Sequence, residues 1–313
     1  LDGRLLALKP DVTLSIAKTA QPAPGETLRY YYHENVYRPS AESHTFQEIS
    51  QMGLEMLGAV GEAQVQQAVR LAAQSLAQLG AAWVLEVSHM GYLFGLFDAL
   101  GVPENARPGL LEKLREKNAH ELRRAAQAAG LDAAGADVLT GLLELSGSCE
   151  ETLAKAESAC RNDRMRAAAA ELRALAKTLE ASGGSVRLDL SLAGEMEYYN
   201  GLVFQGYLQG LPRPLLKGGR YDLLMQKFTP GAGAIGFAVY LDELDRLSAP
   251  TPPVQRNSTD RVMLNVALPK GRLGDKMYDL LARIGYGCTE DYNATRKLVV
   301  ENPAAGIRYF LVK

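Results

Sequence analysis

Two stretches of the sequence carry residue types that could hold a charged ligand. The first is "LSLAGEMEYYNGLVFQGY", residues 190–207, in which Tyr198, Tyr199 and Asn200 close an alternating run. Alternation places every second side chain on one face of a strand, so the run reads as a pocket wall. Glu195 and Glu197 flank Met196, and no basic residue lies within the stretch. The second is "LPKGRLGDKMYDLLARIGY", in which Lys270, Gly271 and Arg272 precede a helical pattern. Glycine lets a ligand approach the backbone, two cations flank it and a helix N-terminus follows, which together suit an anion. Taken singly, each feature also has a plain reading. A tyrosine pair is ordinary in a strand, and a basic turn is most often only solvated. Asp11 after Pro10 can favour a helix start through the dipole, and Gly218-Gly219 before Arg220 reads as a turn.

The elements that would position these residues alternate between short and long. Residues 4–9, "RLLALK", predict a strand, and Pro10 opens a short helix as its first-turn residue. "LRYYYHENVYR" and "TFQEISQMGLEML" predict strands; the second presents Phe46, Glu48 and Ser50 on one face and Gln47, Ile49 and Gln51 on the other. So many polar side chains suit a binding floor more than a plain core. "EAQVQQAVRLAAQSLAQLG" is an amphipathic helix stopped by Gly80, and a strand "WVLEVSH" and a helix "GYLFGLFDALG" follow. Residues 103–183 read as a helical block, with Ser148 and Glu151 spaced as a capping box and Gly183-Gly184 ending it. Three more strands fall in "SVRLDLSL", "YNGLVFQGYL" and "GAIGFAVYL". Strands at both ends of a helical block indicate an α+β fold with a mainly antiparallel sheet. Pro250, Pro252 and Pro253 mark a linker over 248–260, which separates residues 1–247 from an α/β segment at 261–313.

Bulk properties narrow the classes. With 313 residues, 47% hydrophobic, 22% charged and a formal charge of -2, the chain reads as a globular protein without the basic field of a nucleic-acid binder. Nine Lys/Arg and five Asp/Glu make residues 261–313 net +4, which leaves -6 for the remainder. Cys149, Cys160 and Cys288 form no CxxC, and they make no metal-ligand spacing with His33, His44, His89 and His120. No metal is expected, and reduced cysteines suit a cytoplasmic protein. No apolar run reaches the length of a membrane span, which is about 18 residues or more.

Four stretches in one order carry a resemblance: "LKPDVTLSIAK", "ENVYRPSAESHTFQEISQMGLE", "EYYNGLVFQGY" and "GGRYDLLMQKFTPGAGAIGFAVYLDEL". They resemble the catalytic core of histidyl-tRNA synthetase. The wording "GEMEYYNG" resembles the paralogue without aminoacylation, the regulatory subunit of ATP phosphoribosyltransferase. The resemblance spans residues 1–247 and implies a class II aminoacyl-tRNA synthetase-like antiparallel sheet with a helical insertion. It also implies a histidine pocket. Asp11 and Glu55 would hold the amino group and imidazole, Thr13 and Gln51 would assist them, Tyr198 and Tyr199 would border the ring, and Arg38 is the retained second-motif arginine. A cation and a ring with two nitrogens need acceptors and a flat apolar wall, and this set provides both. Synthetase chemistry is implied to be lost, so no catalytic residue is expected. The acid two residues after Arg38 is replaced by Ser40, the arginine before the tyrosine pair falls on Gly194, and the third-motif arginine falls on Glu243. Adenylate formation gathers negative charge that arginines must meet. An active histidyl-tRNA synthetase fragment is the alternative, and a scaffold with a vestigial pocket is a third reading.

Residues 261–313 resemble the start of a short-form ATP phosphoribosyltransferase catalytic subunit. That resemblance implies phosphate or nucleotide contacts for Lys270, Gly271 and Arg272, with Arg296 in "TRKL" as a further candidate. The two together imply a histidine-sensing regulatory polypeptide fused to the beginning of its catalytic partner. Histidine would be the effector, and catalytic subunits the partners in a homo- or hetero-oligomer, without tRNA or membrane. No cofactor is expected in this segment; Mg2+ would accompany ATP and phosphoribosyl pyrophosphate in the full assembly.

Overall fold

A computed structural model describes residues 7–39, 45–180, 185–194, 198–248, 264–269, 272–288, 299–302 and 305–312. The chain divides into two compact units, Leu1–Ala249 and Pro250–Lys313.

The first unit begins with α1 (Thr13–Thr19), β1 (Thr27–Pro39) and β2 (Phe46–Gly58). It continues through α2 (Glu62–Ala77), β3 (Trp83–His89) and α3 (Met90–Ala99). The helical block holds α4 (Arg107–Arg115), α5 (Ala119–Ala128), α6 (Ala133–Thr140), a short β4 (Ser146–Ser148), α7 (Cys149–Ser158) and α8 (Asp163–Glu180). The unit closes with β5 (Val186–Asp189), β6 (Leu202–Leu208), β7 (Leu216–Arg220), α9 (Asp222–Gln226), β8 (Gly233–Tyr240) and α10 (Leu241–Ser248).

Eight strands form one sheet in the order β1-β2-β8-β7-β6-β3-β5-β4, antiparallel except for β3 with β5. This is the α+β arrangement that the sequence predicts. One face carries the main core: Ala72 and Leu76 of α2 and Leu93 and Phe97 of α3 pack with Leu85, Val87, Phe204 and Ile235 from the strands. The amphipathic stripe of α2 explains its seat there, and Gly80, at a φ of 71°, follows its end. Asn118 and Asp132 cap α5 and α6 by accepting from the amides of Glu121 and Gly135.

Several local expectations are corrected. Residues 7–9 are not a strand: the Lys9 carbonyl accepts the Tyr37 amide, and Pro10, which has no amide to donate, interrupts further pairing. Residues 4–6 lie outside the described part. Pro10 also precedes the first turn of α1, which starts three residues later where Asp11 Oδ1 accepts the Leu14 amide at 2.7 Å. The capping box at Ser148 does not form, because its hydroxyl donates to the Glu151 carboxylate instead of accepting a backbone amide. Gly218-Gly219-Arg220 is strand β7, not a turn. A Cβ on Gly218 would lie 2.5 Å from the Gly236 carbonyl and 2.5 Å from the Phe204 ring. Glycine here admits close contact with the neighbouring strand and ring, so its presence does not break the strand. Residues 249–260, including Pro250, Pro252 and Pro253, lie outside the described part.

The second unit contains β9 (Leu264–Pro269), α11 (Arg272–Leu281), β10 (Val299–Asn302) and β11 (Ile307–Val312). Its sheet runs β10-β11-β9, with β9 parallel and β10 antiparallel to β11. Leu268, Tyr278, Val300, Ile307 and Tyr309 make a small core, in which the Tyr309 hydroxyl donates to the Tyr286 carbonyl at 2.8 Å. Among the described residues no helix is long and apolar enough to cross a membrane.

The crowding at Gly218 gives a direct check. Gly218→Ala is expected to cost about 2 kcal/mol by overpacking against the backbone of β8. Urea unfolding of the two forms should show a lower midpoint for the variant at an unchanged slope.

Candidate functional site

The sheet face turned away from α2 carries a cavity of about 560 Å³. Strand register builds its floor: Tyr32 faces Gly53, Gly53 faces Ala238, Ala238 faces Lys217, and Lys217 faces Gln205. Two residues along β2 Glu55 faces Gly236. Asp11, Thr13, Arg38, Gln51, Glu55, Tyr198 and Tyr199, the seven residues predicted for a histidine pocket, all line this one cavity.

Glu55 is its most constrained member. The side chain is buried, with a relative exposure of 2%. Thr13 Oγ1 donates to its Oε1 at 2.6 Å, and the Tyr221 hydroxyl donates to Oε2. A Cβ on Gly236 would lie 1.8 Å from that Oε2, so only glycine leaves the carboxylate room. Burial pushes the Glu55 carboxyl up to about 7; the two hydroxyl bonds partly oppose this and Asp11 adds to it. Burial, with Glu55 or Asp11 next, also pushes the phenols of Tyr32, Tyr198 and Tyr221 well above their usual range. They therefore stay neutral and serve as hydroxyls and ring faces. Tyr198 packs edge-on to Tyr199 at 4.8 Å and tilted to Tyr221 at 5.4 Å between centroids.

Asp11 combines its plain and its functional reading: one oxygen caps α1 and the other lies 3.6 Å from Arg38 Nη2. Gln51 is also buried, and its Oε1 has no hydrogen-bond partner. A buried amide oxygen left unpaired costs roughly 1–3 kcal/mol, which a donor on a ligand would recover.

Sequence reasoning missed Tyr32, Tyr221, Gln205, Tyr240, Lys217 and Arg115, which also line the cavity. Tyr32 and Gln205 sit in strands quoted from the sequence, whose two-residue period could have found them, whereas Tyr221 directly follows β7. Arg115 gave no signal, since it comes from the helical block and reaches the carbonyl of Gly194, 79 residues on. The cavity thus holds three cations where the sequence offered only Arg38. At Gly194 a Cβ would lie 2.6 Å from Tyr199 Cδ2, so this backbone has no space for an arginine there. Glu243 lies on α10 beside Arg246, outside the cavity lining. Glu195, Met196, Glu197 and Ser40 lie outside the described residues, as do Lys270, Gly271 and Arg296; Arg272 opens α11, and its side chain is outside the described part.

The antiparallel sheet, the helical insertion and the acid-and-phenol cavity define a class II aminoacyl-tRNA synthetase-like core. Residues 1–244 match the family described as histidyl-tRNA synthetase, and the chain belongs to that family. Among curated relatives, an ATP phosphoribosyltransferase regulatory subunit of Desulfitobacterium hafniense is 34% identical over 245 residues, which is 76% of this chain and 63% of the relative. The chain therefore spans less than two thirds of that relative's length. A solved structure from Bacillus halodurans, described as an ATP phosphoribosyltransferase regulatory subunit/histidyl-tRNA synthetase, superposes with a TM-score of 0.66 at 27% identity. That match covers 97% of this chain and 80% of the other. A histidine–tRNA ligase subunit from Alicyclobacillus acidocaldarius gives a TM-score of 0.63 at 31% identity, covering 77% and 76% of the two chains.

The raised pKa of Glu55 has a signed consequence. The folded chain keeps this proton up to about 7, whereas the free side chain loses it near 4.5. Its contribution to stability is therefore complete below the lower value and is lost as pH rises through the upper one. Comparing Glu55→Gln with the parent, denaturant unfolding should show the parent losing about 3 kcal/mol relative to the variant between the two pH values. Parallel profiles would contradict this account of the buried carboxyl.

Proposed function

We propose that this chain is the histidine-sensing regulatory component of an ATP phosphoribosyltransferase, acting in histidine biosynthesis and performing no aminoacylation. The observation that carries the reading is the convergence of all seven expected residues on one cavity, with Glu55 buried at its floor and Gln51 Oε1 awaiting a donor. A histidine ammonium and imidazole would supply donors to Glu55, Asp11 and Gln51, while Tyr198 and Tyr199 would provide the flat wall. Glycine at 194, crowded by Tyr199, and an acid at 243 argue against adenylate formation, which needs cations aimed at the phosphate. The names of the curated relatives favour the same reading.

Residues 261–313 we take as the beginning of the catalytic partner, joined in one chain. Lys270, Gly271, Arg272 and Arg296 would meet its phosphorylated substrates. The strand–helix order of β9 and α11 and the basic balance of this segment support that assignment. Mg2+ would enter with ATP and phosphoribosyl pyrophosphate in the complete assembly with catalytic subunits. Feedback requires histidine to bind the active and inhibited arrangements with different affinity, typically by about 1–3 kcal/mol.

Isothermal titration of the chain with L-histidine should show binding that Glu55→Ala abolishes, and histidine-dependent ATP–pyrophosphate exchange should be absent. Unchanged affinity in the variant would remove the pocket assignment; exchange above background would return the chain to the synthetases.

A further inference from the structure

The basic residues of the cavity are not equally committed. Arg38 lies 3.6 Å from Asp11 and donates through Nε to the Pro10 carbonyl at 3.3 Å. Arg115 is placed differently. Its Nη2 donates to the Gly194 carbonyl at 3.3 Å, and among the described residues no carboxylate pairs with it. One long bond to a neutral carbonyl leaves most of its five N–H groups open in a fork that fits a carboxylate. No side chain on Gly194 itself could do this, since a Cβ there already meets Tyr199.

The end of α4 is also held in place. Two residues after Arg115, Lys117 takes a φ of 52°, a conformation rare outside glycine, and its Nζ lies 2.6 Å from Asp189 Oδ2. Asp189 is 2% exposed and further accepts from the Ser191 amide and hydroxyl at 3.0 and 2.5 Å. The turn after α4 is thereby fastened to the end of β5, and Arg115 is aimed at the cavity rim. A zwitterionic ligand needs both signs around it. Glu55 and Asp11 offer the acceptors, and Arg115 offers a cation not spent on either of them.

We infer that Arg115 is the carboxylate receptor of this cavity, so that a residue of the helical block reads the group that separates an amino acid from its amine. This rests on the histidine reading above, and the test separates the two. Histamine keeps the ring and the amine of histidine and lacks the carboxylate. Titrate the full chain, Arg115→Met and Arg115→Lys with L-histidine and with histamine. Arg115→Met should weaken histidine about tenfold or more and leave histamine within about twofold, because a charge-assisted bond is lost only where a carboxylate is present. Arg115→Lys, keeping the charge and losing the fork, should fall between. If Arg115→Met leaves histidine affinity unchanged, or weakens both ligands alike, the assignment is overturned while the histidine reading stands. If the unaltered chain binds neither ligand, the histidine reading falls and takes this one with it.

Discussion

A single buried carboxylate sets the terms for the first unit's cavity. Removing Glu55 from water is expensive, and the fold meets that cost with two hydroxyls from distant elements, Thr13 on α1 and Tyr221 just before α9. Each partner draws its own element into place. Thr13 ties α1 to β2, Tyr221 ties the β7–α9 corner to the same strand, and Gly236 on β8 is confined to hydrogen in place of a side chain. The hydroxyls bond the acid but bring no positive charge, so burial still leaves it holding its proton up to about 7. A cationic ligand completes what the protein leaves open.

Around that floor the sheet acts as a ruler. Because register is fixed from β1 across to β6, polar side chains from strands far apart in sequence stand in one row. Gln51 and Glu55 of β2 turn to the cavity, while Leu54 and Met56 turn to the core beneath α2. One strand thus serves packing on one side and recognition on the other.

Much of this is legible in the sequence. Strand-like composition and alternation place β1, β2, β3, β5, β6 and β8, and helical patterning places α2 and α3. The seven site residues are legible through the resemblance of their motifs to a known family, since Asp11, Tyr198 and Tyr199 lie outside any strand or helix and carry no periodic signal. What escaped had no local signature. The pairing of β7 depends on contacts that only glycine permits, and in sequence a pair of glycines looks like a turn. Ser148 and Glu151 had the spacing of a capping box, but their side chains bond to each other. Arg115 and Lys217 are ordinary helix and strand bases until the chain folds, and Arg115 acquires its place through the helical block alone.

The packing of Tyr199 against Gly194 also limits what a single substitution can do. The phenol ring fills the space beside this backbone and lies 2.6 Å from the point that any Cβ would occupy. A side chain placed at 194 would collide before it could reach a ligand. Position 194 is thus locked by its neighbour, and putting a cation there needs at least two coordinated changes, one of them to the ring.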